Sequence, residues 1–258
     1  MWRNSVDVMD STKRRQRFAT VTRRRWFGAA AAVAAATAAR TSFAATPKAT
    51  FTVYTFGDSI LDCGRYNEHG VHPGQLIVRN DDTLFPGFRR RDLSSLGPAR
   101  LDHRAQDGAR VDDLARQACG VRSTHPAVAL ITIGGNDLLG GLAGDRGSGI
   151  GRFETQLDAF IRVLPVRPVV LGNVYDPTFG DDSRNFLGID ASIARGNFNR
   201  VNAIIAAVAA KHGTLADLRG HFLRGDPTWF TRTIEPSLRG ASEVRAVFLP
   251  HILRLRVV

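Results

Sequence analysis

An apolar, β-branched and aromatic run, Phe51-Thr-Val-Tyr-Thr-Phe56, stops abruptly at Gly57-Asp58-Ser59. Residues of this kind favour a pleated strand, and glycine then permits a sharp change of backbone direction. Ser59 therefore stands where a strand ends, at the carboxyl edge where open α/β sheets bind their ligands. A serine there can act as an exposed nucleophile. Taken alone, Asp58-Ser59 reads equally well as the cap of the segment that follows, because both residues are good helix N-caps.

Further elements supply the frame for such a strand. Ala99–Ala105 predicts a second strand, and Val111–Cys119 a helix stopped by Gly120. Residues 127–133 are almost continuously apolar, as in a parallel strand covered on both faces. Phe153–Leu164 predicts an amphipathic helix, Pro168–Tyr175 a buried strand, Asn197–His212 another helix and Thr214–Asp217 a last short strand. A helix is expected over Ala241–Phe248. Strands alternating with helices imply a parallel sheet with helices on both faces, and right-handed crossovers put the first strand in its interior. The turn-rich stretch from Arg65 to Gly87 begins just beyond Ser59 and is expected to form one wall of the substrate site.

Two later stretches give Ser59 its context. Gly108 lies in Arg104-Ala-Gln-Asp-Gly-Ala-Arg110, and Gly134-Gly-Asn-Asp137 ends the strand at 127–133. With Gly57-Asp58-Ser59 they form an ordered triplet that resembles the GDSL/SGNH hydrolases, a family of serine esterases and lipases. The similarity runs from about Phe51 to near the C-terminus. It implies a three-layer α/β/α sandwich with a central, about five-stranded parallel sheet. It also implies Ser59 as nucleophile, with oxyanion donors at the backbone N–H of Ser59 and Gly108 and the side-chain amide of Asn136.

The fourth hallmark departs from the pattern. The family's base is a histidine in an Asp-x-x-His-Pro stretch near the C-terminus, and the corresponding stretch here is Arg232-Thr-Ile-Glu235-Pro236. Glu235 takes the histidine position and Arg232 the acid position. A carboxylate with an ordinary pKa near 4.3 is a weak base for a serine hydroxyl at neutral pH. A salt bridge between Arg232 and Glu235 is the structural expectation for the pair. His221, His251 and His72 are the alternative bases. The expected function is hydrolysis of a carboxylic ester, either a lipid ester or an O-acetyl group on a carbohydrate. The alternative is a non-hydrolytic protein binding an acylated glycan or lipid. The seven histidines are scattered, so no metal-ligand cluster is expected, and the resemblance implies no metal or organic cofactor.

The N-terminus accounts for the unusual charge. Nine of the 35 basic residues but two of the 24 acidic ones precede Ala45, so a formal charge of +11 falls to +4 beyond it. That balance gives no reason to expect a nucleic-acid partner. Arg23-Arg24-Arg25-Trp26-Phe27, the Ala-rich run Gly28–Ala39 and the small residues to Ala45 form a signal peptide of twin-arginine type over residues 1–44. The apolar run is too short to span a bilayer. A mature domain over 45–258, in the periplasm or outside the cell, is the expectation. Cys63 and Cys119 would then meet an oxidising compartment, as a disulfide or as small buried hydrophobes.

Overall fold

The computed structural model describes residues 49–122 and 125–255. The leader read over residues 1–44 lies outside them. The elements in chain order are β1 (Phe51–Gly57), α1 (Pro73–Val78), β2 (Ala99–His103), α2 (Leu114–Gln117), β3 (Ala127–Thr132), α3 (Gly135–Leu139), α4 (Gly149–Val163), β4 (Val169–Gly172), α5 (Ala191–His212), β5 (Thr214–Ala216), α6 (Leu218–Phe222), β6 (Phe230–Thr231), β7 (Glu235–Pro236) and α7 (Leu238–Arg254). Five strands form one sheet in the order β2-β1-β3-β4-β5, parallel throughout. The three-layer α/β/α architecture expected from the sequence is the one observed, with β1 in the interior.

The period of two along each strand sorts the core into two faces. Tyr54, Phe56, Ala129, Ile131 and Leu171 point to one side, where Leu157 and Ile161 of α4 and Val201 and Ile205 of α5 cover them. Phe51, Val53, Val128, Leu130 and Val170 point to the other, under Val244, Phe248 and Ile252 of α7. Both faces are dry, which is why β3 shows no polar alternation.

Gly57 ends β1 against the backbone of β3. Its φ is +113°, and a Cβ there would lie 1.6 Å from the carbonyl oxygen of Thr132. No side chain fits. The Gln117 amide then completes the strand end, accepting from Gly57 N at 2.6 Å and donating to Gly57 O at 2.8 Å. In this way the last peptide before Asp58-Ser59 is held from both sides.

Three expectations are corrected. The stretch after Ser59 is not a wall of the site: Pro73 starts α1, Gln75 accepts from His72 N at 3.0 Å, and Leu76 and Ile77 enter the core. The predicted helix at 111–119 is a 3-10 turn, Val111–Asp113, followed by the single turn of α2. The last helix does not stop at Phe248 but runs through Pro250 to Arg254. Burial of Leu249 and Ile252 beneath the sheet outweighs the one backbone hydrogen bond that proline removes. Among the described residues, no helix is long and apolar enough to cross a membrane.

Candidate active site

Ser59 follows β1 directly and is largely buried, as is Asp58 before it. It opens into a cleft of about 830 Å³, counted with the space open to solvent, between α3, α5 and the segment 173–190 that follows β4. The strand ends bring the other expected residues to the same place. Gly108 sits in the turn between β2 and α2 with φ +80°, in open space, so its backbone is free to meet a ligand. Asn136 lies in the first turn of α3 and lines the cleft beside Ser59. Its Nδ2 donates to Ala109 O at 3.2 Å, next to Gly108. Asp137 fastens the same turn from behind, with both carboxylate oxygens 3.2 Å from Val111 N. Burial pushes Asp137 up to about 6.

Glu235, on the two-residue strand β7, is buried near Ser59, whose hydroxyl favours the charged form of its carboxylate, while Glu235 Oε2 has no hydrogen-bond partner among the described residues. Burial raises its pKa above the ordinary glutamate value, and Asp107 adds to the rise; Ser59, Arg232 and Arg65 pull it back. No ion pair joins Glu235 to Arg232 among the described residues. Arg232 has a left-handed backbone, φ +46°, and its guanidinium lies 5.2 Å from the centre of the Tyr66 ring. The expected salt bridge is thus replaced by two separate contacts. Chain direction decides it, because two successive left-handed residues, Arg232 and Thr233, turn the arginine out while β7 carries Glu235 in.

None of the three candidate histidines lines the cleft. His221 on α6 bonds Glu243 of α7 at 2.8 Å and stacks on Trp229 with ring centres 5.1 Å apart. His251 is on α7, and burial lowers its pKa. His72 stacks on His103 at 4.1 Å, and burial lowers it to about 4. The two cysteines are both free: Cys63 is buried and Cys119 exposed, so neither a disulfide nor a pair of buried hydrophobes describes them. Among the described residues no cluster of His, Cys, Asp or Glu has the makings of a metal site.

Two features were not legible in the sequence. Asp58 is enclosed, with Oδ1 accepting from Thr132 Oγ1 at 2.8 Å and from Ile60 N at 3.2 Å, while Oδ2 is buried without a partner. Burial pushes its pKa up to about 7. Asp62, one turn beyond Ser59, accepts from Asp107 N at 2.9 Å and pairs with His103 Nε2 at 3.2 Å, and His103 Nδ1 meets the buried Thr55 hydroxyl at 2.7 Å. This chain of contacts ties the peptide before Gly108 back to β1. Asp62 and His103 are 41 residues apart in sequence, so no local signal joins them.

Ser59 thus stands just past the interior strand of a doubly covered parallel sheet, with Asn136 beside it in the cleft wall. The model of the GDSL-like Lipase/Acylhydrolase family matches residues 55–241, most of the chain, and the chain belongs to that family. Its members are ester-bond hydrolases. No curated protein matches the sequence. Solved structures share the fold. An alpha/beta hydrolase enzyme from the metagenome of Lake Arreo, Spain, is 24% identical with a TM-score of 0.56, covering 81% of this chain and 98% of that one. An acetylxylan esterase from Geobacillus stearothermophilus is 18% identical at a TM-score of 0.57, covering 80% and 95%. A phospholipase A1 from Streptomyces albidoflavus is 16% identical at 0.51, covering 80% and 99%.

Proposed function

We propose that the protein cleaves carboxylic esters through an acyl-enzyme on Ser59, with Glu235 in the place of the family's histidine as general base. The observation that carries this reading is the buried Glu235 carboxylate beside Ser59, whose hydroxyl stabilises its charged form. Proton transfer needs contact first and a matched pKa second. Glu235 lies within reach of the Ser59 hydroxyl, and burial moves it toward a more basic value. Ser59 Oγ attacks the carbonyl carbon as its proton passes to Glu235, and the carbonyl electrons move onto oxygen. That oxyanion is held by the N–H groups of Ser59 and Gly108 and by Asn136 Nδ2. Glu235 then returns the proton to the leaving alcohol, and water releases the acid by the same steps. The arginine-led leader would export the enzyme to the periplasm or beyond.

One observation favours a second reading, a protein that holds an ester without cleaving it: among the described residues no histidine lines the cleft. Turnover of aryl esters by the protein from Ala45 onward decides between them. On the first reading, Ser59→Ala abolishes turnover, Glu235→Gln lowers it by about 10²- to 10⁴-fold, and His221→Asn leaves it within about twofold, since His221 is engaged with Glu243. Equal, background rates for wild type and Ser59→Ala overturn the enzymatic reading and leave the binding one.

A further inference from the structure

The cleft at Ser59 separates the two halves of an ester, and its walls are unequal. On the Glu235 side lie Arg232, Tyr66 and Asp107, none of which lines the cleft. Glu235 has to reach the leaving oxygen to protonate it, so on the reading proposed above the alcohol half departs on that side. The acyl half is left to the cleft.

The cleft offers that acyl group hydrocarbon. Leu138, Val174, Leu187, Ala194, Phe198 and Ile234 are among its walls. Its polar side chains away from Ser59 are already engaged with each other. Arg195 spans three of them, donating to Asp176 at 2.5 Å, to Asp182 at 2.8 Å and to Thr178 Oγ1 at 3.2 Å. Asn185 donates to Ile189 O at 2.7 Å and accepts from Leu187 N at 3.1 Å. Tyr175 donates its hydroxyl to Ile234 O at 2.7 Å. A sugar ring in this space would lose water from its hydroxyls and find few free partners, at a cost that an aliphatic chain does not incur. The apolar surface also continues outward, for Leu139 and Phe186 line the cleft and remain 44% and 45% exposed. A small acetyl group would leave most of the space to water.

From this we infer that the substrates are esters of unbranched fatty acids, with the acyl chain lying in the cleft between α3, α5 and the Arg195-fastened segment 173–190. O-acetylated carbohydrate is the poorer fit. Each methylene buried against these walls adds about a fourfold gain in specificity for a well-fitted chain.

Two measurements test this separately from catalysis. The Ser59→Ala protein is titrated with a fluorescent fatty acid, and decanoate, acetate and an acetylated disaccharide compete with it. Displacement by decanoate, with none by acetate or the disaccharide at equal concentration, is the expected result. The wild-type kcat/KM is then followed over p-nitrophenyl esters from acetate to decanoate, rising about fourfold per methylene until the cleft is filled. Ala191→Phe, at the start of α5 in the cleft wall, lowers the decanoate-to-acetate ratio at least tenfold. Decanoate binding without turnover of any ester supports the acyl site while overturning the catalytic reading. A flat or falling series, or displacement by the disaccharide alone, overturns the acyl site itself.

Discussion

The Ser59 hydroxyl stabilises the charged form of the Glu235 carboxylate although 176 positions separate the two residues in the chain, and Glu235 reaches it from a buried two-residue strand. On the proposed reading, a carboxylate takes the place of an imidazole beside Ser59. It is a weaker base than histidine, and its environment partly offsets the difference. Burial destabilises the charged form, while the serine hydroxyl and two arginines stabilise it. The outcome is a carboxylate of raised pKa.

That pKa fixes the pH profile. Glu235 must be unprotonated to accept the serine proton, and its folded pKa lies above the ordinary 4.5. Turnover is therefore lost as pH falls through the raised value and is full above it. A kcat/KM profile from about pH 4 to 9 checks this, with a single acidic limb expected. Persistence of that limb in whatever activity Glu235→Gln retains would assign it to another group.

Reverting both exchanged positions should raise activity. Arg232→Asp with Glu235→His supplies an imidazole of ordinary pKa near 6.5 and a carboxylate to orient it. Aspartate also tolerates the left-handed backbone at 232, φ +46°, better than arginine does. About a tenfold gain in kcat at pH 8 is the expected result from the Brønsted dependence of proton transfer. A double variant that folds normally and is slower than wild type would count against the placement of Glu235 as base.

Asp58 is predicted to make the fold less stable as pH rises. Its folded pKa of about 7 stands above the ordinary aspartate value of 3.8, so the native state binds the proton more tightly than the unfolded chain. The stabilisation is complete below about pH 4 and is lost as pH climbs through 7, about 4 kcal/mol in all. Asp58→Asn mimics the protonated form. Urea unfolding at pH 4 and pH 8 should show the wild type losing roughly this much more stability than the variant.

The contact of Asp62 with Asp107 N is expected to position the oxyanion loop rather than to touch substrate. Asp62→Ala removes that anchor and the partner of His103 together. Turnover should fall about ten- to hundredfold, as for loss of a hydrogen bond to a charged group, with KM within about twofold. Binding of an alkylboronic acid, which mimics the tetrahedral oxyanion, should weaken in parallel. A raised KM with unchanged kcat would place Asp62 in substrate binding instead.

The central strands were readable from local signals because β1, β3 and β4 are short apolar runs ending at or just before a glycine, and both faces of β3 are buried. The triplet Ser59, Gly108 and Asn136 was readable for a related reason: each sits at the carboxyl end of a strand or in the turn after it, and topology alone brings those ends together. The cleft wall was not. It comes from 173–190, a segment with little regular structure held by Arg195 to Asp176 and Asp182, whereas the turn-rich stretch after Ser59 folded back into the core through Leu76 and Ile77.

By itself, then, the sequence determined the order of the five sheet strands along the chain, the position of Ser59 at a strand end, and the presence of Glu235 and Arg232 in the stretch where the family pattern expects a histidine and an acid. Only the tertiary structure decided that Glu235 faces Ser59, that Arg232 lies on Tyr66, that His221 belongs to Glu243, and that the space beside the serine is apolar. The physical reason is range. Propensity, periodicity and turn chemistry act over a few residues and leave a mark in the chain, while the direction of a side chain and the pKa of a buried acid depend on neighbours that distant segments bring only when the core closes.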